Sequence, residues 1–139
     1  MGNSPLKRIL VVEDEKDIAD IIALTLNKKG YQTDVAYDGE EALGKINSAH
    51  YDLLILDLNL PSVSGWDVIK MIRQEKNLPY LPVIMITACY KTPQDIVSGL
   101  EHFQADDYIL KPFSPGVFLA RVKALLRRQE MQSGATKKS

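Results

Sequence analysis

Leu53-Leu54-Ile55-Leu56-Asp57-Leu58-Asn59-Leu60-Pro61 is the stretch on which the fold turns. Apolar residues run without alternation into an acid, and a proline closes the segment. An unbroken apolar run of this length, bounded by turn formers, reads as a strand covered on both faces. Two more runs read the same way, Ile9-Leu10-Val11-Val12 upstream and Val83-Ile84-Met85-Ile86 downstream. Shorter ones at Thr33–Tyr37 and Tyr108–Leu110 bring the predicted strands to five.

Helical spacing fills the intervals. Ile18, Ile22 and Leu26 form one stripe, Ala42 and Ile46 a second, Val68, Ile69 and Ile72 a third. Ile96, Leu100 and Phe103 predict a fourth helix, and Phe118, Val122 and Leu125 a fifth. Boundary signals agree with this division. Gly30 suits a helix C-terminus, Asp38 with Glu41 makes a capping box, and Ser64 with Asp67 serves alike. Thr92-Pro93 and Ser114-Pro115 each set a capping hydroxyl before a proline at the first helical position. Alternating strands and helices predict an α/β fold, a doubly wound parallel sheet with helices on both faces.

The chain has 139 residues, 45% of them apolar and 25% charged, which suits one soluble domain with a sizeable core. A formal charge of −1 provides no field to hold a polyanion, so direct nucleic-acid binding is not expected. The basic residues Arg121, Lys123, Arg127, Arg128, Lys137 and Lys138 read as a solvated helix end and tail. One cysteine, Cys89, excludes an internal disulfide and points to a reducing compartment. No run is long enough to span a bilayer, and the start is not a signal peptide, so the expected setting is the cytoplasm, away from membranes. Residues 1–6 read as an N-terminal extension, 7–128 as the domain, and 129–139 as a polar, disordered tail.

In doubly wound sheets, ligands bind beyond the carboxyl ends of the strands. The first strand there runs into Glu13-Asp14, the third ends in Asp57, the fourth in Thr87 and the fifth runs into Lys111. Acids held this close raise one another's pKa, and a hard divalent cation relieves the repulsion. Mg²⁺ takes oxygen ligands, and the carbonyl of Asn59 lies where the chain leaves the third strand. A carboxylate beside Mg²⁺ can act as a nucleophile toward phosphorus. Lys111 is suited to neutralise a phosphate oxygen, and Thr87 to donate a hydrogen bond to one. Each residue has a plainer reading alone: a helix cap for Glu13-Asp14, a turn acid for Asp57, a strand end for Thr87, a solvated lysine for Lys111.

Together with Gly65, the motifs Val11-Val12-Glu13-Asp14-Glu15, Leu54 to Pro61, Ile86-Thr87-Ala88 and Ala105 to Phe113 resemble the receiver domain of two-component response regulators. The resemblance implies a five-stranded (βα)5 flavodoxin-like sandwich of strand order 2-1-3-4-5. It implies that Asp57 is the phosphoacceptor, served by Thr87 and Lys111. Glu13, Asp14, Asp57 and the Asn59 backbone carbonyl then hold Mg²⁺, Thr87 and Tyr108 form the switch pair, and Lys111-Pro112 is a cis bond. The implied function is a phosphorylation-activated signalling switch, not an enzyme acting on other molecules. Its donor is a sensor histidine kinase or a phosphotransfer protein, and its output is a changed surface on the fourth helix, fifth strand and fifth helix.

The final helix resembles that of receivers preceding a winged-helix DNA-binding domain, so a receiver fragment of a transcriptional regulator is an alternative. Eleven residues after Arg128 are too few for such a domain. A homodimer through the fourth-helix, fifth-strand and fifth-helix face also follows from the resemblance. However, Val117 and Phe103 replace acids that commonly pair there, and Arg121 remains without those partners. Gln104 and Ser64 depart from common family residues outside the phosphate site. The Asp-nucleophile phosphatase alternative wants a second acid where Asn59 stands.

Overall fold

The computed structural model describes residues 6–75, 80–87 and 105–138, with side chains described to residue 131. Its elements are β1 (Arg8–Val12), α1 (Lys16–Asn27), β2 (Gln32–Ala36), α2 (Gly39–Ser48), β3 (Leu53–Asp57), α3 (Gly65–Gln74), β4 (Val83–Thr87), β5 (Asp107–Leu110) and α4, the C-terminal helix (Pro115–Lys138). The sheet has five strands in the order β2-β1-β3-β4-β5, every neighbouring pair parallel. The expected doubly wound α/β architecture is therefore present. Cys89, Phe103, Gln104, the Thr92-Pro93 signal and the stripe at Ile96 and Leu100 lie outside the described residues.

The uninterrupted apolar runs have a direct structural cause. Successive side chains of a strand point to opposite faces. Leu10, Val12, Leu54, Leu56, Val83 and Met85 face α2 and α3, meeting Ala42, Ile46, Val68, Ile69 and Ile72. Ile9, Val11, Leu53, Ile55, Ile84 and Ile86 face the other way, toward Ile22 and Leu26 of α1 and Phe118, Val122, Leu125 and Leu126 of the C-terminal helix. All five residues of β3 and of β4 are buried. Each fully buried Leu or Ile contributes about 1.5–3 kcal/mol, so the central strands anchor two cores at once.

Local signals position the helices. Asp38 accepts from the Glu41 backbone N–H, and the Glu41 carboxylate reaches back to the Tyr37 N–H. Ser64 accepts from the Asp67 N–H at the start of α3, and Ser114 from the Val117 N–H at the start of the C-terminal helix. Gly30 takes φ +91°, a conformation open to glycine, after α1 has ended. The N-cap of α1 is Glu15, whose side chain makes no capping bond, while its backbone N–H donates to Glu13 Oε2 at 3.3 Å.

The C-terminal helix departs from the sequence reading, which placed a disordered tail from Gln129. It continues to Lys138, about 36 Å in all at 1.5 Å per residue. Gln129, Glu130, Met131, Ala135, Lys137 and Lys138 are good helix formers, no proline interrupts them, and Gly134 alone opposes strongly. Lys7 Nζ lies 3.4 Å from Glu130, an exposed pair that adds little. No helix among the described residues is long and apolar enough to cross a membrane.

Candidate functional site

Register brings the chemistry together. Val12 pairs with Leu56, so Glu13 emerges beside Asp57. Asp57 pairs with Ile86 and Thr87 with Leu110, so Lys111 emerges beside Thr87. The ladder continues one step past the strands, through Glu13 N–H to the Ala36 carbonyl, Leu58 N–H to Ile86 and Lys111 N–H to Thr87. Four chain exits are thereby held at one edge of the sheet.

Lys111 Nζ donates to Glu13 Oε1 at 2.6 Å and to Asp57 Oδ2 at 3.2 Å. Carboxylate oxygens of Glu13, Asp14 and Asp57 lie within 4.8 Å of one another. Glu13, Asp57 and Thr87 are buried, whereas Asp14 is exposed. The Asn59 N–H donates to Asp57 Oδ1 at 2.9 Å, and the Asn59 side chain donates to Thr87 Oγ1 at 3.3 Å. The Lys111–Pro112 peptide bond is cis.

Charge does not balance here. Three carboxylates face one ammonium, and burial followed by the neighbouring Asp57 pushes the Glu13 carboxyl up to about 7. For Lys111, burial pulls the ammonium down, but the Glu13 hydrogen bond and the Asp57 charge outweigh it and leave its pKa above the ordinary lysine value. A site that disfavours ionising its own acid is short of positive charge. An all-oxygen donor set at this spacing fits a hard divalent cation such as Mg²⁺.

A family model for the response regulator receiver domain matches residues 9–123. The chain belongs to that family. This receiver is 46% identical over 124 residues to the response regulator ArlR of Staphylococcus aureus, an alignment covering 89% of this chain and 54% of that one. The chain thus spans about half the length of the curated relatives it matches. Among solved structures, a CheY-like receiver domain protein from Methanospirillum hungatei superposes with a TM-score of 0.84 at 32% identity, covering 92% of this chain and 99% of that one. The response regulator TrrA from Thermotoga maritima, solved in complex with Mg²⁺ and BeF, gives 0.76 at 39% identity over 86% and 99%. The receiver is accordingly a signalling domain of the two-component class.

Glu13, Asp14, Asp57, Asn59, Thr87 and Lys111 all meet at one edge of the receiver's sheet. Tyr108 stands apart, half-buried on β5 and packed against the α2–α3 core. Arg121 has a partner that sequence did not reveal, since its Nη1 donates to both Asp107 oxygens at 2.8 and 3.0 Å. Sequence reasoning also missed the contact of the Asn59 side chain with Thr87. Its one signal was the polar carboxamide two residues past the acid.

Proposed function

We propose that this receiver is a switch activated by phosphorylation of Asp57. Support comes first from Lys111 Nζ, which lies between Glu13 Oε1 and Asp57 Oδ2 beside a third carboxylate. In this reading, Glu13, Asp14, Asp57 and the Asn59 carbonyl hold Mg²⁺. Bound there, the ion supplies charge neutralisation for the carboxylates and the incoming phosphoryl oxygens.

An Asp57 carboxylate oxygen attacks phosphorus of a phosphohistidine on the donor. The new P–O bond forms as the P–N bond breaks, and the electron pair stays on the imidazole nitrogen. Lys111 offsets the charge of one phosphoryl oxygen as a point cation. Thr87 donates its hydroxyl to another, and Tyr108 follows Thr87, changing the surface around β5 and the C-terminal helix. The domain promotes its own phosphorylation and hydrolysis and turns over no separate substrate.

The donor is a sensor histidine kinase or a phosphotransfer protein. It has room to approach through an apolar groove of about 690 Å³ between α1 and the start of the C-terminal helix, with Ile18, Ile21, Phe113, Phe118 and Lys111 in its lining. Self-association through β5 and the C-terminal helix is a further part of the reading, on the exposed Leu110 and Val117. A cytoplasmic setting suits a chain with one cysteine.

Mass spectrometry after incubation with Mg²⁺ and a small phosphodonor tests the assignment. The expected product carries one phosphoryl group on Asp57, absent in Asp57→Asn and absent with a chelator. Equal modification of Asp57→Asn would overturn it.

A further inference from the structure

Asn59 touches two residues of the site with two different groups. Its backbone N–H holds Asp57 Oδ1 at 2.9 Å, and its side-chain Nδ2 holds Thr87 Oγ1 at 3.3 Å. Register explains the meeting. Asp57 pairs with Ile86 and the Leu58 N–H bonds the Ile86 carbonyl, so the chain leaving β3 passes beside Thr87 at the end of β4. Asn59 is exposed and Thr87 has no exposed surface, so the carboxamide reaches down from the surface onto a buried hydroxyl. Nothing in the proposed Mg²⁺ site requires that side chain, because the metal is assigned the Asn59 carbonyl alone.

We infer that the Asn59 side chain is a resting-state latch on Thr87. It is a positioning residue that holds the hydroxyl where it stands while Asp57 is unmodified. The inference rests on the function proposed above, in which Thr87 is recruited to a phosphoryl oxygen. A ligand shifts a two-state equilibrium only by its differential interaction with the two states. A contact made at rest and given up on recruitment therefore subtracts its own worth from the affinity for the phosphoryl group. Asn59 sets the threshold of the switch in this way.

Beryllofluoride in saturating Mg²⁺ is the probe, because it reads affinity for a phosphoryl-like group without turnover. Asn59→Ala is expected to bind it about two- to tenfold more tightly, the worth of one neutral hydrogen bond. In a double-mutant cycle, Asn59→Ala on a Thr87→Ala background is expected to give no further gain. A gain that came from general loosening of the loop would persist on that background.

Unchanged or weaker beryllofluoride binding by Asn59→Ala would overturn the latch, as would an equal gain with and without the Thr87 hydroxyl. Failure of the parent protein to bind beryllofluoride with Mg²⁺ would instead overturn the phosphorylation reading on which the latch rests.

Discussion

Gly65→Ala introduces a single methyl group at the first residue of α3, and the structure specifies what it strikes. A Cβ there lies 2.4 Å from the Asp57 carbonyl oxygen, 2.8 Å from Leu58 Cα and 3.1 Å from the Asp57 carbonyl carbon. Every one of these atoms is backbone, so no side chain can swing away. The Gly65 N–H also bonds the Leu58 carbonyl at 3.0 Å, which pulls the two segments together. Relaxed C···O approaches begin near 3.3 Å, so about 0.9 Å of overlap has to be relieved by moving the end of β3 or the start of α3. Overpacking of this kind costs about 1–3 kcal/mol. For a domain of this length that corresponds to a melting point lower by roughly 3–12 °C. The displaced backbone carries the phosphoacceptor, so phosphorylation by a small donor is expected to slow as well, by up to about 10²-fold for a shift near an ångström. Gly44→Ala is the matched control, because Gly44 is exposed within α2 and its added Cβ meets nothing within 4 Å. That variant is expected to be stabilised by about 0.5–1 kcal/mol through helix propensity. Thermal melts and phosphorylation rates of the two variants decide the matter. Parental stability and rate in Gly65→Ala would refute the reasoning.

The raised Glu13 carboxyl makes the metal-free protein pH-dependent. Its proton is held in the fold up to about 7 and in the unfolded chain only to 4.5, so stability in chelator is expected to fall as pH rises through that window. Denaturant melts should show this slope flattened in Glu13→Gln and by Mg²⁺; an equal slope in Glu13→Gln would count against it. Lys111→Met leaves Glu13 and Asp57 without their shared cation and is expected to cost about 3 kcal/mol in chelator above the Glu13 titration, with Mg²⁺ restoring part of it. Urea midpoints with and without Mg²⁺ measure both effects. Asp106 accepts from Arg73, from the Tyr80 hydroxyl and from the Val83 N–H at 3.1, 2.7 and 2.8 Å, before β5 and far along the strands from Asp57. Asp106→Ala is expected to lose about 2–4 kcal/mol in denaturant melts while the Mg²⁺ titration stays unchanged.

The parallel sheet was legible because a strand buried on both faces has no polar side to display, and β1, β3 and β4 read so from their residues alone. The positions of Glu13, Asp57, Thr87 and Lys111 were legible as strand ends. Their pairing was not, because Glu13 and Lys111 stand 98 residues apart and meet only through the register of intervening strands. Nor does sequence show that Lys111 at rest sits closer to Glu13 than to Asp57, since that depends on where each flexible side chain settles. Arg73, Tyr80 and Asp106 lie far apart in the sequence, and only the fold closes them into a cluster. Beyond Arg128 the polar composition pointed to a tail, whereas local helix propensity carried the last helix onward.

Arg121 and Asp107 cancel each other within one chain, and this changes what the face of β5 and the C-terminal helix offers to anything that meets it. Among the described residues, Leu110 on β5 and Val117 on the C-terminal helix are exposed on their own elements beside it. A contact made on those two side chains draws on dehydration of hydrocarbon. Its strength would hold steady as salt is added and would decline in the cold.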